Sequence, residues 1–199
     1  MLEIIIFYFL PLLSANVIHH SIVIKKNLLA TLAIPLDLGS YLKGKRLLGK
    51  SKTFRGFVVI AFISTSLTFL LTMLVHEKDF VSVTLRSFII STGYMFGELP
   101  TSFLKRRFNI NPSQQAGGIK GFFFYSLEQI DSVTVAVALS GLMNNLSIYQ
   151  MTMLLILGTA THIVIDLSLY FKGYKKLISK PFFLTLLTKE RRNTKLPRQ

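Results

Sequence analysis

A chain of 199 residues that is 51% hydrophobic, 12% aromatic and only 16% charged is too apolar to be disordered and too poor in charge for an ordinary soluble domain, in which about a quarter of residues are charged. Its mean hydropathy of +0.51, carried by apolar stretches long enough to cross a bilayer, points to an all-α integral membrane protein of a single domain. Lysine and arginine outnumber the acids by 23 to 9, a net charge of +14, and the absence of cysteine excludes disulfides, thiolate catalysis and thiolate-bound metal.

The first apolar stretch, residues 4–24, lacks the basic start and small-residue cleavage site of a signal peptide, so it reads as a retained span. A long connection follows with eight bases: Lys25, Lys26, Lys43, Lys45, Arg46, Lys50, Lys52 and Arg55. The second and third spans are expected over residues 57–75 and 80–96, joined by a short connection whose one base is Lys78, with Arg86 inside the third span. A second long connection, holding Lys105, Arg106, Arg107 and Lys120, leads to a fourth span over 132–147 and a fifth over 149–169. Residues 171–199 interleave Lys172, Lys175, Lys176 and Lys180 with Leu177, Ile178, Phe182 and Phe183, the pattern of an interfacial stretch drawn to anionic lipid. Bases therefore gather after the first, third and fifth spans. By the positive-inside rule the N-terminus lies outside, and the C-terminus and both long connections face the cytoplasm, across a plasma (inner) membrane. Small residues at Gly158, Thr159 and Ala160 offer a face on which two copies could pair as a homodimer.

With so few acids, each can be weighed. Glu3, Glu77, Asp79 and Glu190 fall at outer ends of spans or in the tail, where water solvates them. Asp37, Glu98, Glu128 and Asp131 fall beside the cytoplasmic bases, where a carboxylate is costly unless it meets a cation. Helical spacing would put Glu98, Ser102 and Lys105 or Arg106 on one face, and Glu128 and Asp131 on another. Each pattern alone is also what a helix end with snorkelling bases, or acids at a helix N-terminus, would show. Hard oxygen donors without thiols suit Mg2+, which is commonly held by one or two carboxylates plus substrate phosphates. In the first connection, glycines 39, 44, 49 and 56 allow close backbone approach, while Lys45, Arg46, Lys52 and Arg55 can meet phosphate oxygens. Gly44 to Ser51 even spells the Walker A string, but no strand precedes it as a P-loop requires. His162 and Asp166 share one face of the fifth span, either as a buried contact or as the support of a polar cavity, and His19, His20 and His76 call for no special role.

These motifs together resemble the CTP transferase superfamily, and the CDP-archaeol synthase family most of all. Pro35-Leu36-Asp37-Leu38-Gly39, then Gly44 through Lys52-Thr53-Phe54-Arg55-Gly56, are similar to one family stretch; Gly97-Glu98, Thr101-Ser102 and Lys105-Arg106 to a second; Glu128-Gln129-Ile130-Asp131-Ser132 to a third; and a late histidine, here His162, also has a counterpart. Glu98 and Glu128 stand where those families usually carry Asp, and Thr101 where the phosphatidate enzymes carry Glu. The resemblance implies transfer of a cytidylyl group from CTP to a lipid phosphate in the membrane, with no nucleic-acid partner. It implies Glu98, Glu128 and Asp131 as Mg2+ ligands and, with Lys105, as the catalytic set. Asp37, Lys45, Arg46, Lys52, Thr53, Arg55, Ser102, Arg106 and Gln129 would contact substrate. Two other classes compete: a small transporter with Arg86, His162 and Asp166 along its path, and a non-catalytic anchor that binds anionic lipid through its basic loops.

Overall fold

The computed structural model describes residues 1–112, 116 and 118–173. The basic tail expected over 171–199 lies outside these from residue 174 onward. The described residues form five long helices: α1 (Leu2–Ile24), α2 (Phe54–Leu74), α3 (Phe80–Arg107), α4 (Gly118–Asn144) and α5 (Ile148–Phe171). Helix α1 contains wider π-type turns over Ile5–Phe9 and His19–Ile24. Between α1 and α2 lie a single 3₁₀ turn (Ala30–Leu32) and a two-stranded hairpin, β1 (Tyr41–Leu42) and β2 (Lys45–Arg46). Four helices, α1, α2, α4 and α5, are long and apolar enough to cross a membrane. Helix α3 is more polar, and the bundle shelters it: it packs most extensively against α4 and α2.

The helices start and stop for legible reasons. Thr53 caps α2, its hydroxyl accepting from the Gly56 N–H, and Lys105, Arg106 and Arg107 fill the last turn of α3, where cations offset the negative end of the dipole. Two expected boundaries were too short. The third span runs on to Arg107 straight through Pro100, and the fourth begins at Gly118, so the loop expected before residue 132 is largely helix. At 28 and 27 residues these helices are about 40 Å long, against about 30 Å for the 21-residue α2. A bilayer's hydrocarbon core is about 30 Å thick, so the extra turns reach into the head-group layer, and they carry Glu98 to Arg107 and Lys120 to Glu128.

The apolar core is built from Phe7, Tyr8, Phe9 and Leu12 of α1, Ile60 of α2, Ile90, Tyr94 and Met95 of α3, Val133, Ala136 and Val137 of α4, and Leu154 of α5. Polar seams stitch it. The Thr68 hydroxyl donates to the Phe7 carbonyl at 2.6 Å and stands 2.7 Å from the Ser87 hydroxyl, and Asn16 donates to the Tyr94 hydroxyl at 2.9 Å. Gly158 faces inward: a Cβ there would stand 2.8 Å from Val133 Cγ1 and 3.4 Å from the Phe9 ring. The small-residue face expected to pair two copies is thus partly consumed by packing within one chain.

Candidate active site

The first connection folds around Asp37. Residues 34–36 run antiparallel to 52–54, with Leu36 N–H donating to Lys52 O at 2.9 Å and Phe54 N–H to Ile34 O at 3.0 Å. The hairpin between them turns at Lys43-Gly44, both with positive φ, the turn that matches strand twist. Asp37 sits inside with a fully buried side chain. Its carboxylate accepts Arg46 Nε at 2.9 Å and Nη2 at 2.9 Å, and the N–H groups of Gly39, Leu48 and Gly49 at 3.1, 3.1 and 2.8 Å. Burial alone would push this carboxyl up, but Arg46 and the three amides outweigh it and hold it below the usual carboxylate range. Asp37 also pushes the Arg46 guanidinium up. The Walker-like string is therefore a hairpin turn and an Asp37-bound loop, with no strand-to-helix cradle.

Arg107 and Lys45 fasten this loop to the end of α3. Arg107 donates to the carbonyls of Leu42, Lys45 and Arg46 at 2.6, 3.0 and 2.8 Å, and Lys45 Nζ donates back to Arg107 O at 2.9 Å. Lys45 and Arg46, expected to meet phosphate, are thus committed to backbone and to Asp37. Thr53 is committed as a helix cap. Arg107, which the sequence marked only as one of a run of bases, is the clamp.

Helices α3 and α4 cross at Gly97. A Cβ there would stand 2.8 Å from Ser132 Cα and 3.0 Å from Asp131 O, so glycine alone lets the backbones meet. That crossing seats Glu98 beside Asp131. The Asp131 carboxylate accepts the Ser132 N–H at 2.6 Å, with Thr101 and Lys52 also beside it. Lys52 pairs with Glu98, and Lys105 Nζ pairs with Glu128 at 2.6 Å. Lys52 faces Glu98, Asp131 and Glu128 together. Burial pulls its pKa down, but the acids, Glu98 foremost, outweigh that and hold it above the usual value. Ser132 is fully buried beside Tyr94, and Arg106 is buried with Nε unpartnered, although its Nη1 donates to Ile110 O. The Ser102 hydroxyl donates to Glu98 O at 2.9 Å.

Deeper in the bundle, Gln129 Oε1 lies 3.1 Å from His162 Nδ1, and the His162 ring packs edge-on to Tyr94. Asp166, one turn beyond, is buried near Tyr125. Arg86 is remote: it donates to Asn144 Oδ1 at 3.0 Å and lies twelve positions, or about 18 Å along α3, from Glu98. The three residues that would line a transport path are therefore not one constellation. Sequence reading also passed over Tyr94, Asn16 and His19, whose roles rest on which neighbours the fold gives them.

Among the described residues no three His, Asp or Glu side chains stand close enough to enclose a metal ion. The donor set suits a hard cation of the magnesium kind all the same, because such an ion needs only one or two carboxylates when phosphate oxygens complete its shell.

The comparisons with known proteins agree with this architecture. A family model described as CarS-like CDP-archaeol synthase matches residues 1–178. CDP-archaeol synthases from Thermofilum pendens (31% identical over 71% of this chain and 64% of that one), Halobacterium salinarum (36% over 54% and 59%) and Thermococcus gammatolerans (30% over 72% and 81%) are similar to it. The chain spans 64% and 59% of the first two of these relatives. A solved intramembrane enzyme of archaeal membrane lipid biosynthesis superposes with a TM-score of 0.60 at 24% identity, over 85% of this chain and 94% of that one, which establishes the shared fold. By its sequence motifs and by the match over residues 1–178, the chain belongs to the CarS-like CDP-archaeol synthase family.

Proposed function

We propose that this protein transfers a cytidylyl group from CTP to the phosphate of a membrane lipid, giving a CDP-lipid and pyrophosphate, with an archaeol-type ether lipid as acceptor. The single observation that supports this most is the Gly97–Ser132 crossing, which gathers Glu98, Asp131, Lys52, Glu128 and Lys105 at one end of the bundle. An oxygen of the lipid phosphate attacks the α-phosphorus of CTP, a new phosphorus–oxygen bond forms, and the bond to the pyrophosphate leaving group breaks. The nucleophile is the acceptor's own oxyanion, so the chain's task is to hold two anions together and offset their charge.

Lys52 and Lys105 supply positive charge, each paired with an acid that holds it in place. Arg106 offers a buried guanidinium nitrogen for phosphate. Gln129 is held by His162 at a set angle on α4. Asp37 acts one step removed, by fixing the loop that presents Lys52. Of the three expected ligands, Glu98 and Asp131, seated side by side, would hold a divalent cation, Mg2+ by ligand chemistry, which when bound offsets phosphate charge, and Glu128 stays with Lys105. The basic ends of α1, α3 and α5 favour a cytoplasmic site with the N-terminus outside, in the plasma membrane. Homodimerisation finds no support in Gly158.

The test is direct. Incubate the purified chain with CTP labelled at the α-phosphate, magnesium and a panel of diether and diacyl lipid phosphates. Label in the organic phase is expected, and its absence with every acceptor overturns the proposal.

A further inference from the structure

His19 lies at the inner end of α1, 8% exposed, and neither ring nitrogen has a hydrogen-bond partner. A buried polar group left unpaired is destabilising, so an orphaned imidazole calls for a reason. Its surroundings supply one. A Cβ added at Gly56, in the first turn of α2, would stand 3.7 Å from His19 Cε1, 3.9 Å from Nε2 and 3.4 Å from Met95 Cε. Met95 precedes Glu98 by one turn of α3, so the imidazole borders the face that carries the acids. The charged side chains facing it are Arg55 and Glu98. Arg55 is pinned by its Nη1 to Asn27 Oδ1 at 3.0 Å and to Leu28 O at 3.2 Å, which leaves its Nε buried and unpartnered as well.

We propose that His19 and Arg55 together hold the phosphate monoester of the acceptor lipid. Imidazole N–H and guanidinium Nε–H are donors that suit a phosphate oxygen. Two amides of the α2 first turn are already taken, Phe54 N–H by Ile34 O and Gly56 N–H by Thr53, so the side chains are the principal donors. Depth selects lipid over nucleotide. His19 lies seventeen positions, or about 26 Å, along α1 from Leu2, near the inner edge of the hydrocarbon core, and Ile22, Ile24, Leu28 and Leu29 around it are exposed apolar residues suited to acyl or isoprenoid chains. Arg55 is only half-buried, so the phosphate reaches the imidazole by displacing a side chain while the helices stay packed.

This assignment rests on the cytidylyltransferase reading for its acceptor, and binding tests the two apart. The full chain in zwitterionic-lipid nanodiscs is titrated separately with a dialkylglycerol phosphate and with CTP plus magnesium, and labelled transfer is followed in parallel. His19→Phe, which keeps the ring and removes both nitrogens, is expected to weaken lipid-phosphate binding about tenfold or more while CTP binding holds, and His19→Gln is expected to recover most of the loss. Should His19→Phe not fold, Arg55→Gln at its half-exposed position carries the same expectation. Unchanged lipid-phosphate binding in these variants overturns the assignment, as does a loss confined to CTP. His19-dependent lipid-phosphate binding by a wild-type chain that transfers no label supports the subsite and sinks the proposed reaction.

Discussion

Two acid-and-base clusters sit within a few turns of each other, built from the same residue types and put to opposite uses. Around Asp37 every charge is answered: one carboxylate, one guanidinium and three backbone amides close on each other with the side chain out of water. Around Asp131 the acids outnumber their lysines, and an Arg106 nitrogen stays buried without a partner. A saturated cluster fixes a shape. An unsaturated one keeps affinity for something that arrives later, at a cost in stability that the rest of the bundle offsets.

That contrast can be broken by neutralising one acid in each cluster. Asp131→Asn is expected to lower turnover by about a thousandfold or more, the scale of removing a group that stabilises transition-state charge, with little loss of stability. The checks are labelled CMP transfer alongside thermal unfolding, and substantial magnesium-dependent turnover would reduce Asp131 to a packing residue. Asp37→Asn is expected to do the reverse, lowering stability by about 3–5 kcal/mol because Arg46 and three backbone amides lose the buried charge they close on, while protein that remains folded still turns over. Denaturant unfolding in detergent measures this. The sign of its pH dependence follows from the depressed carboxyl: Asp37 contributes fully above the ordinary carboxylate pKa of about 3.9 and its contribution drains away as pH falls below that. The Asn variant should lack that acid-dependent loss.

Two smaller changes sharpen the boundary between the clusters. Gly97→Ala pushes a methyl into the α4 backbone, so a cost of about 1–3 kcal/mol is expected, together with a disproportionate fall in turnover as Glu98 is carried away from Asp131. Equal loss in both would argue that the crossing serves packing alone. Lys45→Met removes one donor from the end of α3 and is expected to cost at most about 1 kcal/mol with KM for CTP unchanged, since that amine is bound to a carbonyl. A large rise in KM would return Lys45 to the phosphate site.

Much of this was legible in the chain. Apolar runs separated by basic connections state an all-helical membrane protein, because lipid leaves no other partner for backbone polar groups, and three spaced motifs led to the right family. Helix ends were read poorly at Phe96 and Ser132, since hydropathy reports where lipid ends, and both helices continue past that level as polar helix. Residue types alone also could not divide the bases. Lys45, Arg46, Lys52 and Arg55 look alike in sequence, yet one caps a helix, one neutralises Asp37, one pairs with Glu98 and one is pinned beside His19.

What the sequence determined by itself was local and cumulative: enough apolar length to cross a bilayer, a net charge that sorts to one side, and oxygen donors without sulfur. Which acids meet, which bases are consumed and why His19 matters were decided only by tertiary structure. Those outcomes depend on contacts between residues far apart in the chain, above all where a glycine lets two long helices touch, and pairwise geometry of that kind leaves no periodic trace in either helix's own sequence.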